Sequence, residues 1–245
     1  MTDFFLKVNP TKTKTQIVNF NFHPAETDNL EYPTSIINAV SKDENVDIEN
    51  LEVMTYLGVE IDRTQPGTGD TEVNNRIESA KVAFAINKNL FCNHHLSLGV
   101  RVRFFNALIR SKLTYGCQNW ALTIAQYNRI DACQNIMFRK MIRGGFKRAK
   151  VSEENSNEFK FYYPNVRILK ITKSEFVSDY IKRQQRNYVA HLIRTSNTNP
   201  TKQMMHNSDK YHKRGRQAPE LYQQVIQQSG VPEVEFRSQA VDRKF

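Results

Sequence analysis

Residues 73–84 read Val73-Asn74-Asn75-Arg76-Ile77-Glu78-Ser79-Ala80-Lys81-Val82-Ala83-Phe84, and this stretch sets the expectation for the fold. Val73, Ile77, Ala80 and Phe84 recur at spacings of three and four, which places them on one face of a helix. The pattern repeats downstream. Leu98, Val102, Phe105 and Ile109 form a second stripe, with Ser97 placed to cap its start. Tyr127, Ile130, Met137 and Met141 form a third, which the pair Gly144-Gly145 should stop. Val177, Ile181, Tyr188 and Leu192 form a fourth. Such stripes build a packed scaffold and do not name a ligand.

Upstream of residue 70 the pattern changes. Val53-Met54-Thr55-Tyr56-Leu57-Gly58-Val59-Glu60-Ile61 is rich in β-branched and aromatic residues and reads as a strand. Gly58 marks a bend or a close backbone approach, and Gln65-Pro66-Gly67-Thr68-Gly69-Asp70 reads as a turn. The opening, Phe4 to Phe20, reads as a loop or helix end before a strand at Ile17–Phe20. Residues 21–50 are polar and acidic and read as a long connection. Residues 146–160 lack a period and read as a linker, and the tail from 196 is rich in Asn, Gln and basic residues. The expected class is α+β, mostly α-helical: a small antiparallel β-hairpin portion followed by a helical bundle and a basic helical tail. Three regions result, 1–70, 71–145 and 146–245.

The 245-residue chain carries a net charge of +10, unevenly placed. Residues 1–75 hold 5 Lys/Arg against 13 Asp/Glu, while residues 76–245 hold 30 against 12. The second part is therefore suited to a polyanion, most simply nucleic acid. No apolar run is long enough to span a bilayer, and the start lacks a secretory pattern. Three scattered cysteines, Cys92, Cys117 and Cys133, suit reduced thiols in a nuclear or cytoplasmic setting rather than a secreted one. Cys92, His94 and His95 lie close together but have no second pair at zinc spacing. Walker-type phosphate loops and G-x-S-x-G are missing. There is no Asp-Asp pair, so the grouped carboxylates that two-metal phosphoryl transfer needs are not evident.

Six segments, taken in order, resemble the reverse transcriptase of LINE-type (non-LTR) retrotransposons. Phe5-Leu6-Lys7-Val8-Asn9-Pro10-Thr11-Lys12-Thr13-Lys14 is similar to the "GLKxNxxKTK" segment that closes the palm, with Phe5 where Gly is usual. Tyr56-Leu57-Gly58 is similar to the "YLG" primer-grip hairpin. Arg76 to Phe84 is similar to "RIxxAxxAF". Tyr115-Gly116-Cys117-Gln118-Asn119-Trp120 is similar to "YGxExW", with Gln118 in place of Glu. Arg186 to Arg194 is similar to "RxxxxGHxxR", with Ala190 in place of Gly. Lys213-Arg214-Gly215-Arg216 resembles the basic "RGRP" segment, with Gln217 in place of Pro and Tyr222 standing for the following aromatic.

The resemblance implies roles. Lys12 would be the palm lysine near the leaving pyrophosphate, or an exposed strand lysine touching phosphate. Tyr56, Leu57 and Gly58 would form the primer grip, with Leu57 expected in the hairpin core. Residues 72–143 would form the thumb, with Arg76, Lys81, Arg101, Arg103, Arg110 and Lys112 on or near its phosphate-facing side. Arg186, Arg194, Lys213, Arg214 and Arg216 would add nucleic-acid contacts. Trp120 suits packing at a helix junction better than base stacking. The catalytic Tyr/Phe-x-Asp-Asp, the fingers and most of the palm would precede Met1, so magnesium is expected only in the complete polymerase and none in this chain. The expected partners are an RNA or DNA primer–template and the upstream fingers and palm, with no membrane. Such a chain is expected to be inactive alone; a non-catalytic binding module and an inert retroelement relic are the alternatives.

Overall fold

In the computed structural model, the described residues are 35–41, 44–49, 51, 53–62, 70–150, 159–207 and 221–242. Lys12, Lys213, Arg214 and Arg216 lie outside them, as do the first resembling segment and the basic part of the sixth. The chain divides into two compact units, Met1–Glu72 and Val73–Phe245, and the described residues are mostly helical.

In the first unit, β1 (Ser35–Ser41) pairs antiparallel with β2 (Glu44–Glu49), with Ile36 opposite Ile48 and Asn38 opposite Val46. This corrects the reading of residues 21–50 as a long connection at 35–41 and 44–49, the part that is described. Val46 and Ile48 alternate with Asp47 and Glu49, a period of two that the acidic composition obscured. β3 (Val53–Tyr56) pairs with β4 (Val59–Asp62). The turn between them puts both Leu57 (φ 49°) and Gly58 (φ 76°) in the left-handed region. Positive φ at both central positions is the type I′ pattern that matches strand twist. Gly adopts it freely; for Leu57 it costs about 1–2 kcal/mol.

The second unit begins within α1 (Asp70–Ile86), whose buried face is Val73, Ile77, Ala80, Ala83 and Phe84. A single turn, α2 (Lys88–Phe91), stacks Phe91 on Phe84 at 4.9 Å. α3 (Leu98–Phe105) starts where the Ser97 hydroxyl accepts the Val100 N–H. It runs on through a π turn, Asn106–Arg110, into α4 (Ser111–Leu113), burying Val102, Phe105, Ile109 and Leu113. A 3₁₀ turn, Cys117–Asn119, follows left-handed Gly116. α5 (Ile124–Met141) opens with a full capping box: Thr123 accepts the Gln126 N–H, and the Gln126 side chain accepts the Thr123 N–H. It ends at Met141, three residues before the expected glycine stop, where Ile142 turns extended (φ −100°, ψ 130°); Gly144 (φ 72°) bends the loop beyond it.

A short ladder, β5 (Arg148–Lys150) with β6 (Phe159–Phe161), occupies the ends of the stretch read as a linker. α6 (Asn165–Thr172), α7 (Val177–Arg194), α8 (Pro200–Asn207), α9 (Leu221–Ser229) and α10 (Glu233–Val241) complete the unit. No helix among the described residues is long and apolar enough to cross a membrane.

One core runs from Val73 to Ile181, passing unbroken across the glycine pair at 144–145. Its centre is a chain of rings, Phe91 against Phe105 and Phe105 against Phe138. Each ring fully removed from water contributes about 1.5–3 kcal/mol. A smaller core joins Val189, Tyr222, Val225 and Phe236. α7 serves both, giving Ile181 to the first and Val189 to the second. Between them the buried Gln185 amide donates to the carbonyls of Trp120 (2.7 Å) and Cys117 (3.4 Å), and its oxygen accepts from the Tyr127 hydroxyl (3.1 Å). The start of α7 is held from a distance: the Asp131 carboxylate accepts both the N–H and the hydroxyl of Ser178.

Candidate nucleic-acid interface

The charge that sequence placed on helix surfaces divides into two kinds once the chain is folded. Some of it is consumed inside. Arg101 is 6% exposed, and its guanidinium donates to the carbonyls of Phe91 (3.0 Å), Leu96 (3.2 Å) and Met141 (2.6 Å). It closes the orphan carbonyls at the ends of α2 and α5, which corrects its expected place on a phosphate-facing side. Arg110 is half-buried, 3.6 Å from Glu175 and over the Tyr180 ring. Burial holds its guanidinium below the usual range. Glu175 in turn takes a bidentate pair from Arg183 at 2.6 and 2.8 Å, and that hydrogen bonding holds its carboxyl below the ordinary range. Arg194 donates to the Ala240 carbonyl at 2.7 Å and ties α7 to α10.

Other expected residues reach solvent. Arg103 and Lys112 are exposed, and Arg186 is half-exposed. Arg76 lies over the Tyr115 ring at 4.8 Å, joining the third resembling segment to the fourth. Lys81 is exposed and bonds Glu78 one turn away at 2.6 Å. Trp120 is 2% exposed, as its packing reading requires. Tyr56 and Leu57 are exposed, Leu57 at 74%, so Leu57 sits at the tip of its turn and not in a hairpin core.

The arrangement best suited to an anion was not singled out from sequence. A groove of about 890 Å³ opens between the exposed side of α1, the end of α5 and the loop that follows it. Lys81, Lys88, His94, Arg139, Lys140, Arg143 and Lys147 line it, together with Phe84 and Phe146, and no Asp or Glu is among the described lining residues. Lys140 also lies over the Phe84 ring at 5.9 Å. Desolvation, and then the charges of Arg143, Arg101 and His95, hold the His94 imidazole below its ordinary range.

The groove's floor is tied together by hydrogen bonds. Buried Arg139 donates to the carbonyls of Gly145 (3.0 Å) and Tyr163 (2.7 Å) and to the Asn165 side-chain oxygen (2.7 Å). A β-carbon on Gly145 would lie 2.3 Å from the Arg139 carbonyl oxygen, so only glycine fits. The sequence signal was present: five Lys/Arg fall within residues 139–148. The signal is masked because Arg139 and Lys140 fall within a helix whose stripe reads as packing, and Lys147 and Arg148 fall in a stretch that reads as a linker.

Among the described residues, no three His, Cys, Asp or Glu stand together as a metal site would require. Burial pushes the Cys117 thiol up to about 12 and the Cys133 thiol up to about 11, so neither is a nucleophile at neutral pH. Against known proteins, no family, no curated protein and no solved structure matches this chain.

Proposed function

We propose that this chain is the C-terminal part of a LINE-type reverse transcriptase, holding a primer–template duplex without polymerising alone. The groove carries this reading: the exposed Lys81, Lys88, Lys140, Arg143 and Lys147, from separate elements, line one concavity with no Asp or Glu among its described lining residues. Phosphate contacts of this kind supply most of the affinity of sequence-independent nucleic-acid binding.

The resemblance supplies the identity of the duplex holder, and packing supports treating its segments as one unit. Arg76 of the third segment covers Tyr115 of the fourth. Gln185, one residue before the fifth, bonds the backbone of Cys117 and Trp120 in the fourth. In this reading Tyr56, Leu57 and Gly58 are the primer grip, where the exposed turn suits contact with a nucleic-acid backbone. Magnesium belongs to the complete polymerase, and the compartment is the nucleus or the cytoplasm.

The experiment is fluorescence anisotropy of a labelled primer–template between 50 and 200 mM salt, roughly the range over which several phosphate contacts cost orders of magnitude in affinity, followed by a primer-extension assay with magnesium. The expected result is binding that weakens steeply with salt and no extension. Affinity indifferent to salt, or extension by the chain alone, overturns the proposal.

A further inference from the structure

The groove does not end at Lys147. Phe146, at its rim, meets Phe161 of β6 edge-on, with ring centroids 6.3 Å apart. Phe161 is followed by Tyr162, whose ring packs edge-on against Tyr163 at 4.8 Å. Phe146, Phe161 and Tyr162 are 48%, 38% and 52% exposed. Burial does not explain these rings left partly in water. Guanidinium groups interleave with them: Arg148 lies over Phe161 at 5.2 Å, and Arg167 lies over Tyr162 at 5.6 Å.

We infer that this surface binds single-stranded nucleic acid, its bases stacking on Phe146 and Tyr162 while its phosphates run along Lys140, Arg143 and Lys147 of the groove. The occupant follows from the two halves together. A carboxylate-free basic channel suits a polyanion, and exposed flat rings with interleaved arginines suit unpaired bases, whose faces a duplex keeps hidden. An acidic peptide would meet the charges but has no flat faces for the rings. The buried Arg139 is a positioning residue here, since its guanidinium lies under Phe161 at 4.1 Å while bonding Gly145 and Tyr163. The inference rests on the nucleic-acid reading above and deepens it, by assigning a single strand to the rim of the same groove, where it would share Lys140, Arg143 and Lys147 with the duplex path.

The test compares a labelled oligothymidylate of about 12 nucleotides, within the usual site size for such surfaces, with a hairpin duplex. Both are titrated against the full chain and against a Phe146→Leu, Tyr162→Leu double variant. The expected result is single-strand affinity lowered roughly ten-fold or more, the scale of losing one or two base–aromatic stacks, with duplex affinity nearly unchanged. A companion Phe146→Tyr, Tyr162→Phe variant keeps the flat faces and should bind the single strand as the parent does. A thermal melt of each variant establishes that it is folded. Equal loss on both probes, no loss on the single strand, or loss in the companion variant overturns the inference while leaving the nucleic-acid reading intact. Failure of the parent chain to bind either probe overturns both.

Discussion

Two regions of the helical unit pair arginine with aromatic rings, and they are finished differently. At α9 and α10, Arg237 lies over Tyr222 and donates to the Tyr222 hydroxyl (3.0 Å) and to Glu233 (2.7 Å), while that hydroxyl donates to Glu233 (2.8 Å). Cation, ring and carboxylate close on one another. Beside the groove, Arg139, Arg148 and Arg167 also lie over rings, but no carboxylate is among the groove's described lining residues. The first arrangement uses charge to fasten two helices. In the second, Arg139 is spent on backbone carbonyls, while exposed Arg143, Lys147 and Arg148 leave positive potential facing solvent, where a ligand can supply an anion. The presence of an arginine on an aromatic ring therefore says little until its other partners are counted.

The comparison breaks most visibly at Arg139. Arg139→Met leaves the Gly145 and Tyr163 carbonyls and the Asn165 side chain without their donor. The expected loss is about 3–5 kcal/mol, read as a drop in thermal midpoint of roughly 6–20 °C for a domain of this size, together with weakened nucleic-acid binding. Gln185→Leu should cost roughly 2 kcal/mol, because the Trp120 carbonyl loses its donor in a site with no water access. Its binding should follow stability only, with no separate effect on affinity at temperatures where the variant is folded.

A paired substitution sharpens the contrast. Lys147→Gln, in the groove, should reduce the slope of log affinity against log salt by about one. Arg237→Gln, in the closed set, should leave that slope alone and cost under about 1 kcal/mol, since its ion pair is substantially exposed. The smallest effect is a pH dependence. Burial, and then the hydrogen bond to Glu233, push the Tyr222 hydroxyl from 10 up to about 12. A group raised in this way holds more protons folded than unfolded. Its contribution is complete below pH 10 and is lost as pH rises through about 12. Chemical denaturation across that window should show the step in the parent and not in Tyr222→Phe.

Much of the helical frame was readable because burial imposes a period. Val73, Ile77, Ala80 and Phe84 are buried together, as are Val102, Phe105 and Ile109, and Ser97 caps where its position before an apolar stripe said it would. What escaped was whatever depends on a partner far away in sequence. Arg101 looks like any polar-face residue until the chain ends of α2 and α5 arrive around it. Lys88 and Lys147 are 59 residues apart, and nothing local joins them. Phe146 and Phe161 flank a stretch without a period, so neither belonged to a stripe. Leu57 was assigned to a core because leucines usually are; the left-handed turn that exposes it is a property of the two-residue connection.

The π turn at Asn106–Arg110 carries a consequence for how this helix tolerates changes in length. Phe105 and Leu113 are both fully buried although eight positions separate them. In an unbroken α-helix eight steps overshoot two turns by about 80°, whereas seven fall short by only about 20°. The segment is in effect a regular helix holding one surplus residue, absorbed in the wide turn. Removing the exposed Ala107 would let the helix close to ordinary pitch with both ends still facing the core. Adding a residue anywhere else between Leu98 and Phe105 would rotate one end away from it by about 100°. Lineages of this chain should therefore differ in length at the wide turn before they differ anywhere else along this helix.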